Sequence, residues 1–224
     1  MYLRCGHHSR LTIESARRTP VGGGRSPMRV VCLAGPSDSG KTTLVEELVP
    51  RLTDRDVRVA TIKSIHHDVE IDTPGADTHR HRTAGAETVI GITPELTFDI
   101  STRAKRTPPP LPDGATDGGL LAADPDDPEL EALVSTLARL ERRGYDTVLV
   151  EGFTAAPVPT VLVGDGDPEN VGGEVIGRGS DALEALVAKI CDLEELSFSE
   201  TGDATGSPED SSDSTTRPAS NADE

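Results

Sequence analysis

At 224 residues the chain has room for one domain with appendages, and with 2% aromatic residues and Trp 0 its core must be built from Val, Leu, Ile and Ala. A formal net charge of −17 excludes a general nucleic-acid binder, which would present a basic face. Cys5, Cys32 and Cys191 form no C-x-x-C pair and no apolar run approaches the ~18 residues of a membrane span, which points to a reducing cytoplasm and no membrane partner.

Residues 1–27 lack apolar periodicity, carry five arginines against Glu14 and end in Gly22-Gly23-Gly24-Arg25-Ser26-Pro27. They are expected to be a disordered leader. Arg17-Arg18 is followed by Thr19-Pro20 rather than an apolar stretch, so it is not an export signal. A nucleotide-binding domain is expected over 28–196. Its first strand is the apolar run Val30–Ala34, and Leu44, Val45, Leu48, Val49 and Leu52 then recur at helical spacing from about Lys41 to Thr53. Pro50 should kink or end the last turn of that helix.

Between strand and helix lies Gly35-Pro36-Ser37-Asp38-Ser39-Gly40-Lys41-Thr42, which fits G-x-x-x-x-G-K-[ST]. A polyphosphate needs a concave run of backbone N–H groups, and the glycines let the chain curl closely around it. Lys41 would reach the β- and γ-phosphates, and the Thr42 hydroxyl would ligate Mg²⁺. Ser37, Ser39 and Thr43 complete the candidate contacts with Gly35 and Gly40. The helix N-terminus adds its partial positive charge. The sequence therefore predicts a phosphate-binding loop for a nucleoside triphosphate.

A second strand is predicted over Val57–Ile62. From Lys63 to Arg82 the chain is crowded with His66, His67, Asp68, Glu70, Asp72, Asp77, His79 and His81, turns at Pro74-Gly75, and can form a short helix over Asp77–Ala86. The four histidines match no standard zinc spacing. Strands Glu87–Ile92 and Leu96–Ile100 flank a turn at Thr93-Pro94. Residues 103–127, rich in Pro, Gly and Asp, read as a solvated loop insertion. Asp127 and Pro128 then start a helix whose stripe is Leu130, Leu133, Val134, Leu137 and Leu140 and which ends at Gly144. Val148-Leu149-Val150-Glu151 is a buried strand with a carboxylate at its end, placed to bind Mg²⁺ directly or through water. Thr160–Val163 is a further strand, followed by Gly164–Asp167, a candidate for the base edge. A last helix, capped by Ser180, carries Leu183, Leu186, Val187 and Ile190. From Ser197 to Glu224 the composition predicts a disordered acidic tail.

Apolar strands alternating with amphipathic helices give an α/β fold, a mostly parallel sheet with helices on both faces in P-loop NTPase architecture. Ligands then bind at the carboxyl ends of the strands. Asp68 and Asp72, near that rim, are candidate catalytic groups together with Glu151. Lysine is confined to positions 41, 63, 105 and 189 of this acidic chain, a balance that leans halophilic.

The P-loop, the run from Ile62-Lys63 through His66-His67-Asp68 and Asp72-x-Pro74-Gly75-x-Asp77-x-x-Arg80-His81-x-x-Ala84-Gly85-Ala86, and Val148–Phe153 together resemble the MobB-type molybdopterin-guanine dinucleotide biosynthesis adaptors. The resemblance covers about residues 28–165. It implies a GTP-binding, weakly hydrolysing protein with Mg²⁺, usually a homodimer, that assists the molybdopterin guanylyltransferase. Guanine preference rests on that resemblance alone, because no Asn-Lys-x-Asp motif occurs. Two other classes stay open on the residues themselves: a small-molecule kinase or ATP-dependent ligase, and a GTP-dependent metallochaperone.

Overall fold

The computed structural model describes residues 27–198 apart from 123 and 125. The expected leader therefore lies outside the described residues except for Pro27, and the expected tail except for Ser197 and Phe198.

Strand β1 (Arg29–Ala34) is central, and every residue after Arg29 is buried. It pairs in parallel with β5 (Thr147–Glu151) on one side and β6 (Thr160–Leu162) on the other. The edges are β2 (Val59–Lys63), beside β5, and β7 (Val175–Arg178), beside β6. The order is β2-β5-β1-β6-β7, all parallel, as the all-apolar central strands require. Period-two alternation along β1 divides the core. Val30, Cys32 and Ala34 face Leu130, Leu133, Val134 and Leu137 of α3 (Pro128–Arg142), while Val31 and Leu33 belong to the opposite cluster with Leu44, Leu48 and Leu52 of α1 (Lys41–Thr53). Leu186, Val187 and Ile190 of α4 (Leu183–Cys191) complete that second layer.

Helix α3 starts as its sequence dictates: the Asp127 side chain accepts from the Glu129 N–H at 2.8 Å, with Pro128 in the first turn. The remaining helix, α2 (Asp77–Thr83), is short and has no buried residue. Strands β3 (Thr88–Ile92) and β4 (Thr97–Ser101) form a separate antiparallel hairpin turning through Thr93 and Pro94.

Helix α1 ends at Thr53 as expected, with Pro50 inside its last turn; the proline forfeits only the bond to Glu46, and the Asp54 N–H still reaches the Pro50 carbonyl at 2.8 Å. Four expectations are corrected. The insertion 103–127 is not simply solvated loop: its few apolar side chains cover the core, with Leu120 buried and Leu111, Ala115 and Leu121 packed against the same cluster. The N-cap of α4 is Ala182, not Ser180, and it makes no side-chain cap bond. Strand β7 was not foreseen: two apolar residues followed by Gly177 give too short a signal, and the strand is defined by its pairing with β6. The boundary drawn between Leu196 and Ser197 falls too early. Leu196 pairs with Met28, and Phe198 beyond it is fully buried, its carbonyl accepting from the Thr116 N–H at 2.7 Å.

Candidate nucleotide site

The site lies at the carboxyl ends of β1, β2 and β5. The loop 35–42 leaves β1 and packs against the end of β6: a Cβ at Gly35 would run into the Val163 carbonyl, and one at Gly164 would meet the Ser39 Cβ at 2.9 Å. Gly40 takes a left-handed conformation, φ 93°, as the N-cap of α1 and offers no capping side chain. The first N–H groups of α1 are thus left for an anion. The Lys41 ammonium is folded across the loop and donates to the Gly35 carbonyl at 2.8 Å and the Pro36 carbonyl at 2.5 Å.

Sheet register brings the remaining groups together. Leu33 and Lys63 both lie level with Glu151, on either side of β5. Thr42, in the first turn of α1, donates from its hydroxyl to the two Glu151 oxygens at 3.2 and 3.1 Å. The Lys63 ammonium sits 2.9 Å from Glu151 Oε1 and 3.4 Å from Thr42 Oγ1. A carboxylate and a hydroxyl converging in this way are hard oxygen donors of the kind Mg²⁺ takes, so the residues present fit that ion. After Glu151 the chain turns sharply through Gly152 and Phe153, both at positive φ. A Cβ at Gly152 would press on the Ser64 Cβ at 2.6 Å, so this close approach of β5 to the end of β2 requires glycine.

A cleft of about 850 Å³ runs from the loop across Lys63–His67 and Glu151–Ala156 to Asp127, Glu129 and Leu130 at the start of α3. Of the expected contacts, Gly35, Ser37, Gly40, Lys41, Thr42, Thr43 and Glu151 line it. Ser39 does not; its hydroxyl is buried and has no partner among the described residues. Asp68 and Asp72 lie outside the lining. Asp68 is exposed and pairs with Arg106 at 3.2 Å, while Asp72 accepts from the Thr78 hydroxyl at 2.9 Å and buries its second oxygen. His66 and His67 do reach the cleft. Elsewhere in this segment Arg82 binds Glu70 at 2.5 Å and, with the Asp72 N–H, holds that carboxyl below its usual pKa. Among the described residues no three His, Cys, Asp or Glu groups converge to hold a metal. The loop Gly164–Asp167 does not line the cleft, and Asp167 caps the Glu169 N–H at 2.9 Å.

Sequence reasoning missed Lys105. From the insertion it donates to Ser64 Oγ at 2.6 Å and to Glu129 Oε2 at 3.1 Å, and lies 5.0 Å from the Phe153 ring centre, tying three parts of the cleft wall together. The available signal was scarcity: of the lysines at 41, 63, 105 and 189, all but the last serve this region.

A family model, molybdopterin guanine dinucleotide synthesis protein B, matches residues 30–116. The chain is 30% identical over 182 residues to the molybdopterin-guanine dinucleotide biosynthesis adapter protein of Escherichia coli (strain K12), covering 77% of this chain and 91% of that one. It is 35% identical over 131 residues to the protein of the same description from Haemophilus influenzae, covering 58% of this chain and 60% of that relative's length. A crystal structure of molybdopterin-guanine biosynthesis protein B aligns with 72% of this chain and 96% of its own, at 22% identity and a TM-score of 0.47.

Proposed function

The chain belongs to the MobB family of molybdopterin-guanine dinucleotide biosynthesis adapter proteins, and we propose that it is a GTP-binding adaptor that assists the molybdopterin guanylyltransferase. The observation that carries the nucleotide half is the convergence of the phosphate loop, Thr42 and Glu151 at one end of the sheet. In this reading the N–H groups of 35–42 and the Lys41 ammonium hold the β- and γ-phosphates. Thr42 and Glu151 hold Mg²⁺, which when bound neutralises phosphate charge. Glu151 is anchored at the end of a buried strand, with its side chain only 13% exposed, so it keeps its position as ligands enter. Guanine preference comes from the family.

Hydrolysis is weak in this proposal. Glu151 is committed to Thr42 and to the metal it would hold, and Asp68 and Asp72 lie outside the cleft that His66 and His67 line. Asp68 and Asp72 act on turnover through the placement of the segment that carries these histidines. The homodimer is supported by the hairpin, which leaves Ile90, Ile92 and Leu96 more than half exposed on a two-stranded sheet that cannot bury both faces itself. Among the described residues no helix is long and apolar enough to cross a membrane, and we place the protein in a cytoplasm of high salt.

The test is reconstitution. Purified guanylyltransferase, molybdenum-bound molybdopterin and Mg·GTP are combined with and without this chain, and dinucleotide formation is followed. Stimulation by the native chain that Thr42→Ala abolishes is the expected result. No stimulation, or full stimulation by the variant, would remove the adaptor role or the site's part in it.

A further inference from the structure

We propose that Lys63 is the site's own counter-cation, occupying Glu151 when no divalent metal is bound and competing with such a metal for the same carboxylate. This rests on the nucleotide reading above and concerns a residue that reading leaves without a role. The Lys63 ammonium contacts both oxygens assigned to the metal, Glu151 Oε1 at 2.9 Å and Thr42 Oγ1 at 3.4 Å. Lys41 does not fill this place: its ammonium donates to the Gly35 and Pro36 carbonyls, and the reading above assigns it to the phosphates.

The two partners differ in freedom. The Glu151 side chain is 13% exposed and fixed by β5, whereas that of Lys63 is 55% exposed on an edge strand, so Lys63 is the one that can leave. Exposed ion pairs typically contribute only about 0–1 kcal/mol, so its departure costs little. Its presence matters more when a metal-free triphosphate enters. A carboxylate without a counter-charge beside the phosphates would repel them, and Lys63 cancels that charge. Once a divalent cation is held by Thr42 and Glu151, Lys63 is redundant at that carboxylate and free to reach into the cleft.

Two titrations on the full chain test this. GTP is titrated by calorimetry into the native chain and Lys63→Met, in excess EDTA and in saturating Mg²⁺, with unfolding followed by circular dichroism to verify the fold. Lys63→Met should weaken GTP about tenfold or more in EDTA and markedly less in Mg²⁺. Its half-saturating Mg²⁺ concentration should be lower than that of the native chain. An equal loss in both conditions would make Lys63 an ordinary phosphate contact and overturn the proposal, as would no loss in either. The second titration needs no nucleotide: Mn²⁺ binding to the free protein is followed by electron paramagnetic resonance. Lys63→Met should gain a site that disappears in the double variant Lys63→Met/Glu151→Gln. That gain in a protein that failed to bind GTP would keep the competition and discard the nucleotide reading. Its absence would overturn the competition.

Discussion

Phe198→Ala would remove a ring that is fully buried although its neighbours in sequence are Ser197, Ser199 and Glu200. The ring lies in the cluster that contains Met28, Leu120 and Leu133, and a Cβ at Gly118 would stand 3.0 Å from it. Truncating a buried phenylalanine costs about 3–5 kcal/mol, from lost transfer energy and the cavity left behind. For a domain of this size each kcal/mol lowers Tm by about 2–4 °C, so the variant should melt roughly 6–20 °C lower. Ending the chain at Leu196 should cost more. It also removes the Phe198 N–H and Ser197 hydroxyl that donate to the buried Glu141 carboxylate at 3.0 and 3.2 Å, and the carbonyl that accepts from Thr116. Thermal unfolding of the native chain, Phe198→Ala and the chain ending at Leu196, all at one KCl concentration, reads these in order of increasing loss. A shift of less than about 2 °C for Phe198→Ala, well under the cavity cost, would show that the end of the domain is not anchored by this ring.

Asp68→Asn and Asp72→Asn should each lower GTP turnover at least about tenfold, some 1.4 kcal/mol of barrier, with GTP affinity little changed; normal turnover in a phosphate-release assay would make the segment a docking surface instead. Burial pushes the Cys32 thiol from 9.0 up to about 12, so the stability it contributes is complete below pH 9 and is lost as pH rises from there towards 12. Chemical denaturation of the native chain and Cys32→Ala should therefore converge over that range, and parallel curves would refute the burial argument. If the charge of −17 reflects life in high salt, helical circular dichroism should fall as KCl drops from molar to tens of millimolar, because weaker screening lets like charges repel. Unchanged cooperative folding at low salt would dismiss that reading.

The parts legible in the sequence are those set by local chemistry. Val30–Ala34, the glycine loop and α1 follow one another within a short stretch, and each carries its own periodicity or turn signal. Asp127 and Pro128 likewise announce the start of α3. The contact of Lys63 with Glu151 depends on β2 pairing with β5 at a sequence separation of 88, and no local pattern encodes that register. Lys105 was hidden for a related reason: its loop is polar enough to pass for solvated chain, yet Lys105 turns into the cleft wall and Leu120 into the core. Phe198 was lost to averaging over a Ser- and Glu-rich surrounding, where one aromatic residue outweighs its neighbours only once Met28 and Leu196 are paired. The two carboxylates Asp68 and Asp72 lie within a few residues of His67 in sequence, yet the segment turns them away from the cleft that His67 lines.

Calorimetric titration of GTP and ATP, with Mg²⁺, into the native chain and Lys41→Ala addresses the central claim directly. On the proposed reading Lys41 would exchange its contacts with the Gly35 and Pro36 carbonyls for charged phosphate oxygens, a charge-assisted interaction of about 1.5–3 kcal/mol. The native chain should bind GTP in preference to ATP, and Lys41→Ala should weaken GTP roughly ten- to a hundredfold. Equal affinity for the two nucleotides would contradict guanine specificity, and unchanged GTP affinity in Lys41→Ala would contradict the site itself.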